Sequence, residues 1–187
     1  MTQFYLQMSG VPGSGKSTLA RSLAREFPAI VLDHDDTKSA ILNSGVTESQ
    51  AGGASYSVIK SLTHVFLQQG FSVIVDSPCL YPELLAHGIE VAHKHGARFK
   101  YIECQIADLD ELDKRLRSRA PKPSQIRSLD QTISHAGAAP ALARSLVQDW
   151  ATRAHRPSGR WLLLHTDLPL GECVKQARSY MNEDIIE

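Results

Sequence analysis

The sequence predicts an α/β fold: a mainly parallel sheet covered by helices on both faces. Two observations carry this. Short apolar runs alternate with helix-period segments five times along the 187 residues, without internal repeats or low-complexity tracts. A glycine-rich stretch also falls directly after the first apolar run and opens the first helix-period segment. The elements follow in order. Residues 4–9 are mostly apolar up to Gly10, as suits a buried strand. Leu19, Leu23 and Phe27 recur every fourth residue, marking one face of a helix over 17–27 that Pro28 ends. Residues 29–32 form a second strand that runs into Asp33-His34-Asp35-Asp36, and 37–42 form a short helix stopped by Asn43-Ser44-Gly45. Val58, Leu62, Val65 and Phe66 mark a longer helix over about 54–69, closed by Gly70. Residues 71–75 are the clearest strand and end at Asp76. A helix over about 82–94 and an alternating strand over 99–106 follow, then a helix over about 109–119 with Asp108 as its N-cap. Residues 120–139 are rich in proline and polar side chains, with little apolar period. A helix over about 140–153, a strand over 161–165 and an amphipathic helix over about 170–181 complete the chain.

Composition narrows the function classes. Lys and Arg total 20 and Asp and Glu total 20, so the formal net charge is zero. A protein that coats nucleic acid or acidic membrane carries a basic excess, which this one lacks, although a local basic site is compatible with it. A chain of this length makes one domain and buries roughly 70% of its unfolded surface, so it needs neither disulfide nor metal for a core. Cys79, Cys104 and Cys173 are odd in number and have no C-x-x-C spacing, which excludes a disulfide framework and a zinc signature. Cys104 reads as a small buried hydrophobe. No window approaches 18 consecutive apolar residues and no leader pattern opens the sequence, so a cytoplasmic protein without membrane partners is expected.

Residues 10–17 read G-V-P-G-S-G-K-S, which matches the phosphate-binding loop G-x-x-x-x-G-K-[ST]. Gly10, Gly13 and Gly15 permit backbone conformations a Cβ would forbid, so successive N–H groups can converge on phosphate oxygens. Ser14 lies within the loop and Thr18 follows it, at a helix N-terminus that favours an anion. Lys16 can reach the β- and γ-phosphates of a nucleotide, and Ser17 offers a hydroxyl to Mg²⁺. Asp76, at the end of an apolar strand, is the expected second Mg²⁺ contact. Beyond the second strand stand three carboxylates. One of Asp35 and Asp36 is expected to cap the next helix. Asp35 is also the candidate to accept a proton from a substrate hydroxyl.

The run G-V-P-G-S-G-K-S-T-L-A-R-S-L-A, then D-D-T-K, then V-I-V-D resembles the small P-loop kinases. These include the polynucleotide 5′-hydroxyl kinases, chloramphenicol phosphotransferase, zeta-toxin-like kinases and the shikimate and gluconate kinases, and such chains are often labelled AAA family ATPases. The resemblance implies a three-layer α/β/α domain over 1–187, like the monophosphate kinases, with five parallel strands in the order 2-3-1-4-5. It implies ATP and Mg²⁺, with Asp35 as general base. Lys38 stands where the polynucleotide-kinase-like branch has an arginine that anchors substrate, and it lacks that arginine's two-pronged contact. Arg115 and Arg119, four apart, fall at the start of a segment over about 115–140 that resembles the lid of these kinases, where arginines stabilise transferring phosphate. Arg127, Arg144 and Arg156 are weaker candidates. Ion pairs with the acidic residues earlier in the same helix are the competing account of the arginines. Thr166 and Asp167 match the adenine-contacting loop. No guanine-reading N-K-x-D occurs, and the length leaves no room for the helical subdomain of a ring-forming AAA+ machine.

The expected activity is therefore transfer of the ATP γ-phosphate to a hydroxyl of a small molecule. A polynucleotide 5′-hydroxyl kinase is the nearer rival, disfavoured because single-strand binding wants a cationic groove with stacking aromatics, and aromatics are only 6% here. The rival from another class is an ATP-dependent switch that turns over slowly and has no acceptor base. Cys79 and Tyr81 read as an ordinary loop beside the acceptor pocket, and His93 and His95 as a solvated helix end.

Overall fold

Residues Phe4–Ser9 (β1) are buried throughout and form the central strand. Strand side chains alternate between faces, and here each face meets its own core. Phe4, Leu6 and Met8 pack with Leu19, Leu23, Ile102 and Leu164 on one side. Tyr5 packs with Ile59, Val73, Val75 and Val91 on the other. A strand covered on both faces in this way belongs to a parallel sheet with helices above and below. The computed structural model describes residues 2–120, 122–133 and 141–183.

The elements run β1, α1 (Lys16–Glu26), β2 (Ala29–Asp33), α2 (His34–Asn43), α3 (Glu48–Gln68), β3 (Ser72–Asp76), α4 (Pro82–Lys94), β4 (Arg98–Gln105), α5 (Leu109–Ser118), β5 (Thr132–Ile133), β6 (Ala141–Leu142), α6 (Ala143–Arg153), β7 (Leu162–His165) and α7 (Leu170–Asn182). Five strands form one parallel sheet in the order β2-β3-β1-β4-β7, the order expected from the resemblance. The register sets Asp33 beside Asp76 at the carboxyl ends of β2 and β3, the edge where open α/β sheets bind ligands. No helix among the described residues is long and apolar enough to cross a membrane.

Several expectations change. Helix α2 begins at His34, three residues earlier than its pattern suggests, because Asp33 caps it: the Asp33 carboxylate accepts from the amides of Asp35 at 2.9 Å and Asp36 at 3.1 Å. The cap is thus Asp33, not Asp35 or Asp36. Helix α5 stops at Ser118, so Arg119 sits in extended backbone rather than on the helix face with Arg115. The stretch after it is less irregular than its composition suggests. Ile126 and Leu129 are buried in a third cluster with Val11, Leu112, Leu116 and Val147, and β5 pairs antiparallel with β6. Part of the expected lid, residues 121 and 134–140, lies outside the described residues. His95 is not merely solvated, since its Nε2 lies 3.0 Å from His64 Nδ1 on α3.

Candidate active site

The phosphate loop joins β1 to α1, and its shape is set by three glycines with positive φ, Gly10, Gly13 and Gly15. Two of them also meet close neighbours. A methyl group on Gly10 would lie 2.2 Å from the Cys104 carbonyl oxygen, and one on Gly13 would lie 2.7 Å from Leu112 Cδ1. Gly10→Ala therefore combines a backbone clash with an unfavourable φ of 127°, and we expect it to cost about 3 kcal/mol or more. Denaturant unfolding checks this, and an unchanged midpoint would show that the loop can be rebuilt without that glycine.

Within the loop, Lys16 opens α1 and its Nζ donates to the Val11 carbonyl at 2.9 Å. Its ammonium is largely buried but lines the main cleft. Ser17 and Asp76 line the same cleft, with the Ser17 hydroxyl near enough to favour the ionised Asp76 carboxylate. Asp76 is 4% exposed and its Oδ2 is buried with no hydrogen-bond partner. That burial pushes the Asp76 carboxyl above its ordinary value, against the opposing pull of the Lys16 charge and the Ser17 hydroxyl. A buried carboxylate oxygen without a partner is costly. A hard divalent cation is what an oxygen donor set of one hydroxyl and one carboxylate suits, so Ser17 and Asp76 fit Mg²⁺. The Ser14 hydroxyl is likewise buried without a partner.

The three carboxylates after β2 have separate environments. Asp33 is committed to the α2 cap and to Arg21, 3.1 Å away. Asp36 is mostly exposed and pairs with Lys122. Asp35 lines the same cleft as the phosphate loop. Burial raises its carboxyl, but the neighbouring His34 ring, the hydrogen bond from Gln125 and the Lys16 charge outweigh that and hold it below the ordinary range. It is ionised at neutral pH and acceptor-only. Lys38 also lines the cleft, with its ammonium 3.3 Å from Glu48 Oε1. Beside Asp35, His34 stacks on Tyr56 with centroids 4.2 Å apart, and Tyr56 meets Tyr81 edge-on at 5.5 Å. Tyr81 is 53% exposed and lines the cleft, whereas Cys79 is fully buried and its thiol is pushed up to about 12 by burial.

Arg115 and Arg119 both line the cleft. Arg115 bonds Glu111 one turn earlier and donates to the Thr166 carbonyl at 3.0 Å. Arg119 donates to the Ile126 carbonyl. Arg117 pairs with Asp113 and Asp130, so helical ion pairs and cleft-facing arginines coexist on α5. Arg156 grips Glu103 with two bonds of 2.7 and 2.8 Å. Arg127 is exposed, and neither it nor Arg144 is among the cleft-lining residues. Thr166 is buried and lines the cleft, its amide and hydroxyl both donating to the Gln105 carbonyl. Asp167 is exposed and does not line it, while the neighbouring Leu168 and Leu170 do. Gln125, Ser124 and Lys122 also line the cleft and had no signal in the sequence as site residues. Their partners lie about ninety positions away, beyond the reach of any spacing rule.

The cleft measures about 1280 Å³, larger than the roughly 300–1,000 Å³ of a typical ligand pocket, so it has room for two reactants side by side. A phosphate loop at the carboxyl edge of a 2-3-1-4-5 sheet defines a P-loop nucleotide-binding protein with the fold of the small P-loop kinases. The chain belongs to the AAA domain family, whose model matches residues 6–138. No curated protein matches it by sequence. Among solved structures it is similar in fold to an APS kinase from Mycobacterium tuberculosis in complex with AMPPNP and APS, at 19% identity and a TM-score of 0.62 over 97% of this chain and 99% of that one. A sugar kinase from Janibacter sp. HTCC2649 gives 16% identity and a TM-score of 0.63 over 98% and 96%. A gluconokinase from Sinorhizobium meliloti 1021 gives 18% identity and a TM-score of 0.60 over 97% and 95%.

Proposed function

We propose that this chain transfers the γ-phosphate of ATP to a hydroxyl group of a small molecule. The observation that carries the reading is that one cleft holds the phosphate loop, the unpartnered Asp76 oxygen and an ionised carboxylate, Asp35, that no helix cap consumes. The backbone N–H groups of Gly13, Ser14, Gly15, Lys16, Ser17 and Thr18 cradle the phosphates, and Gly10 lets the loop turn. Lys16 exchanges the Val11 carbonyl for the β- and γ-phosphates. Ser17 and Asp76 would hold Mg²⁺, which when bound would supply positive charge against the developing phosphate charge. Asp35 accepts the proton of the acceptor hydroxyl as its oxygen bonds to phosphorus and the bond to ADP breaks. Arg115 and Arg119 face the transferring group from the lid, Thr166 borders the adenine while Asp167 stays outside the cleft, and Lys38 meets the acceptor once it exchanges Glu48.

The likeness in fold to a sugar kinase, a gluconokinase and an APS kinase supports a small acceptor. ADP release, measured with a panel of sugars, nucleosides, antibiotics and 5′-hydroxyl oligonucleotides, tests this. We expect a small hydroxyl compound to stimulate it. Stimulation by oligonucleotides alone would make the chain a polynucleotide kinase, and slow hydrolysis unmoved by every acceptor would make it a switch.

A further inference from the structure

The short turn 122–125, between α5 and the buried Leu129, grips the first turn of α2 at several points. Gln125 Nε2 donates to Asp35 Oδ2 at 2.6 Å. Ser124 Oγ lies 2.9 Å from the Asp35 main-chain carbonyl and 2.9 Å from Ser39 Oγ. Lys122 Nζ lies against Asp36 Oδ1 at 2.5 Å and Asp33 Oδ2 at 3.5 Å. At the other end of the turn, Arg119 donates to the carbonyl of Ile126. The two oxygens of Asp35 are therefore unequal. Oδ2 has a short amide donor, while the nearest ring nitrogen to Oδ1, His34 Nδ1, stands 3.7 Å away, beyond hydrogen-bond length.

We infer that Gln125 is a positioning residue for phosphotransfer, holding Asp35 by Oδ2 so that Oδ1 is presented to the acceptor hydroxyl. The turn 122–125 acts as a clamp that ties the orientation of the base to the arginine-bearing end of α5. This rests on the reading of Asp35 as the base. The clamp explains why a side chain from a different layer of the fold reaches into α2 at all. A carboxylate on a helix's first turn has free rotation about two bonds, and one strong donor on one oxygen removes it. Arg119 is tied to the neighbouring Ile126 carbonyl, so an arginine of the cleft and the carboxylate of Asp35 are anchored on adjoining residues.

The test reads Asp35 itself, by carboxylate ¹³C NMR on aspartate-labelled protein with the resonance assigned from Asp35→Asn. Around it stand Lys16 on α1, His34 beside it and Asp33 at the cap. Arg119 and Lys122 face it from beyond α5, Asp76 from β3 and the Tyr56 phenol from α3. All of these stay in place in Gln125→Leu, which deletes only the donor. Losing a donor to the ionised form weakens that form, so the Asp35 titration should move up by about one pH unit. Gln125→Ala should do the same with a smaller side chain. With an acceptor from the ADP-release panel, kcat should fall about tenfold with KM for ATP unchanged, an effect a merely structural residue would not confine to kcat. An Asp35 titration identical in wild type and both variants overturns the clamp, even if Asp35→Asn is inactive. A shifted titration together with full turnover by Asp35→Asn would instead leave the clamp standing and remove Asp35 as base.

Discussion

Asp35→Asn is expected to lower phosphotransfer by about 10²–10⁴-fold, the range of a general base, while ATP affinity stays within about twofold. The asparagine keeps an oxygen in the place where Gln125 donates, so the first turn of α2 and its contacts with residues 122–125 should survive. Only the capacity to take a proton is lost. The Asp33 cap, made through its own carboxylate, is untouched. Steady-state ADP release and a fluorescent-nucleotide titration on the same preparation separate the two quantities. Turnover at the wild-type rate would return the chain to the class of nucleotide-driven switches, which need the phosphate loop and no base.

Lys16→Ala should have a comparable effect by another route, and on both quantities. Its ammonium is the cation set against the buried Asp76 carboxyl and the only side-chain cation of the phosphate loop. Removing one preorganised charge from a site of developing negative charge costs about 10²–10³-fold in rate. ATP binding weakens too, because the ground-state phosphates also use that charge. The substitution has a structural consequence as well, since the Val11 carbonyl loses its donor and Asp76 loses the cation that favours its ionised form. A nucleotide titration with and without Mg²⁺ checks this. If Lys16→Ala bound nucleotide as tightly as wild type, the loop amides alone would account for binding.

Most of the fold was legible because its signals are local. The helix period of Leu19, Leu23 and Phe27, the glycines of residues 10–15 and the apolar strands ending in Asp33 and Asp76 each lie within one turn or strand of themselves. The sheet order came from the resemblance rather than from periodicity. What was not legible is instructive. Three aspartates within four residues compete for one cap, and the residue that wins is the one whose backbone is still extended, Asp33, with ψ of 116°. Nothing in their order alone decides that. Arg119 looked like a partner of Arg115 at helical spacing until the helix ended one residue short of it. The burial of Ile126 and Leu129 was hidden by the prolines and polar residues around them. The grip of residues 122–125 on α2 joins positions far apart in sequence, which only the folded chain brings together.

The third apolar cluster has a meaning for how this protein could be remodelled. Val11, within the phosphate loop, shares that cluster with Leu112 and Leu116 of α5, with Ile126 and Leu129, and with Val147 of α6, and Leu112 also abuts the space beside Gly13. The nucleotide cradle and the segment above it are thus cut from the same block. Exchanging α5 and α6 for those of a relative as a cassette would replace Leu112, Leu116 and Val147, the side chains on which Val11 rests. Diversification of acceptor choice in this scaffold is cheaper on the other wall, along α3 and the loop before α4, where Tyr56 and Tyr81 can be changed without touching the loop that grips the nucleotide.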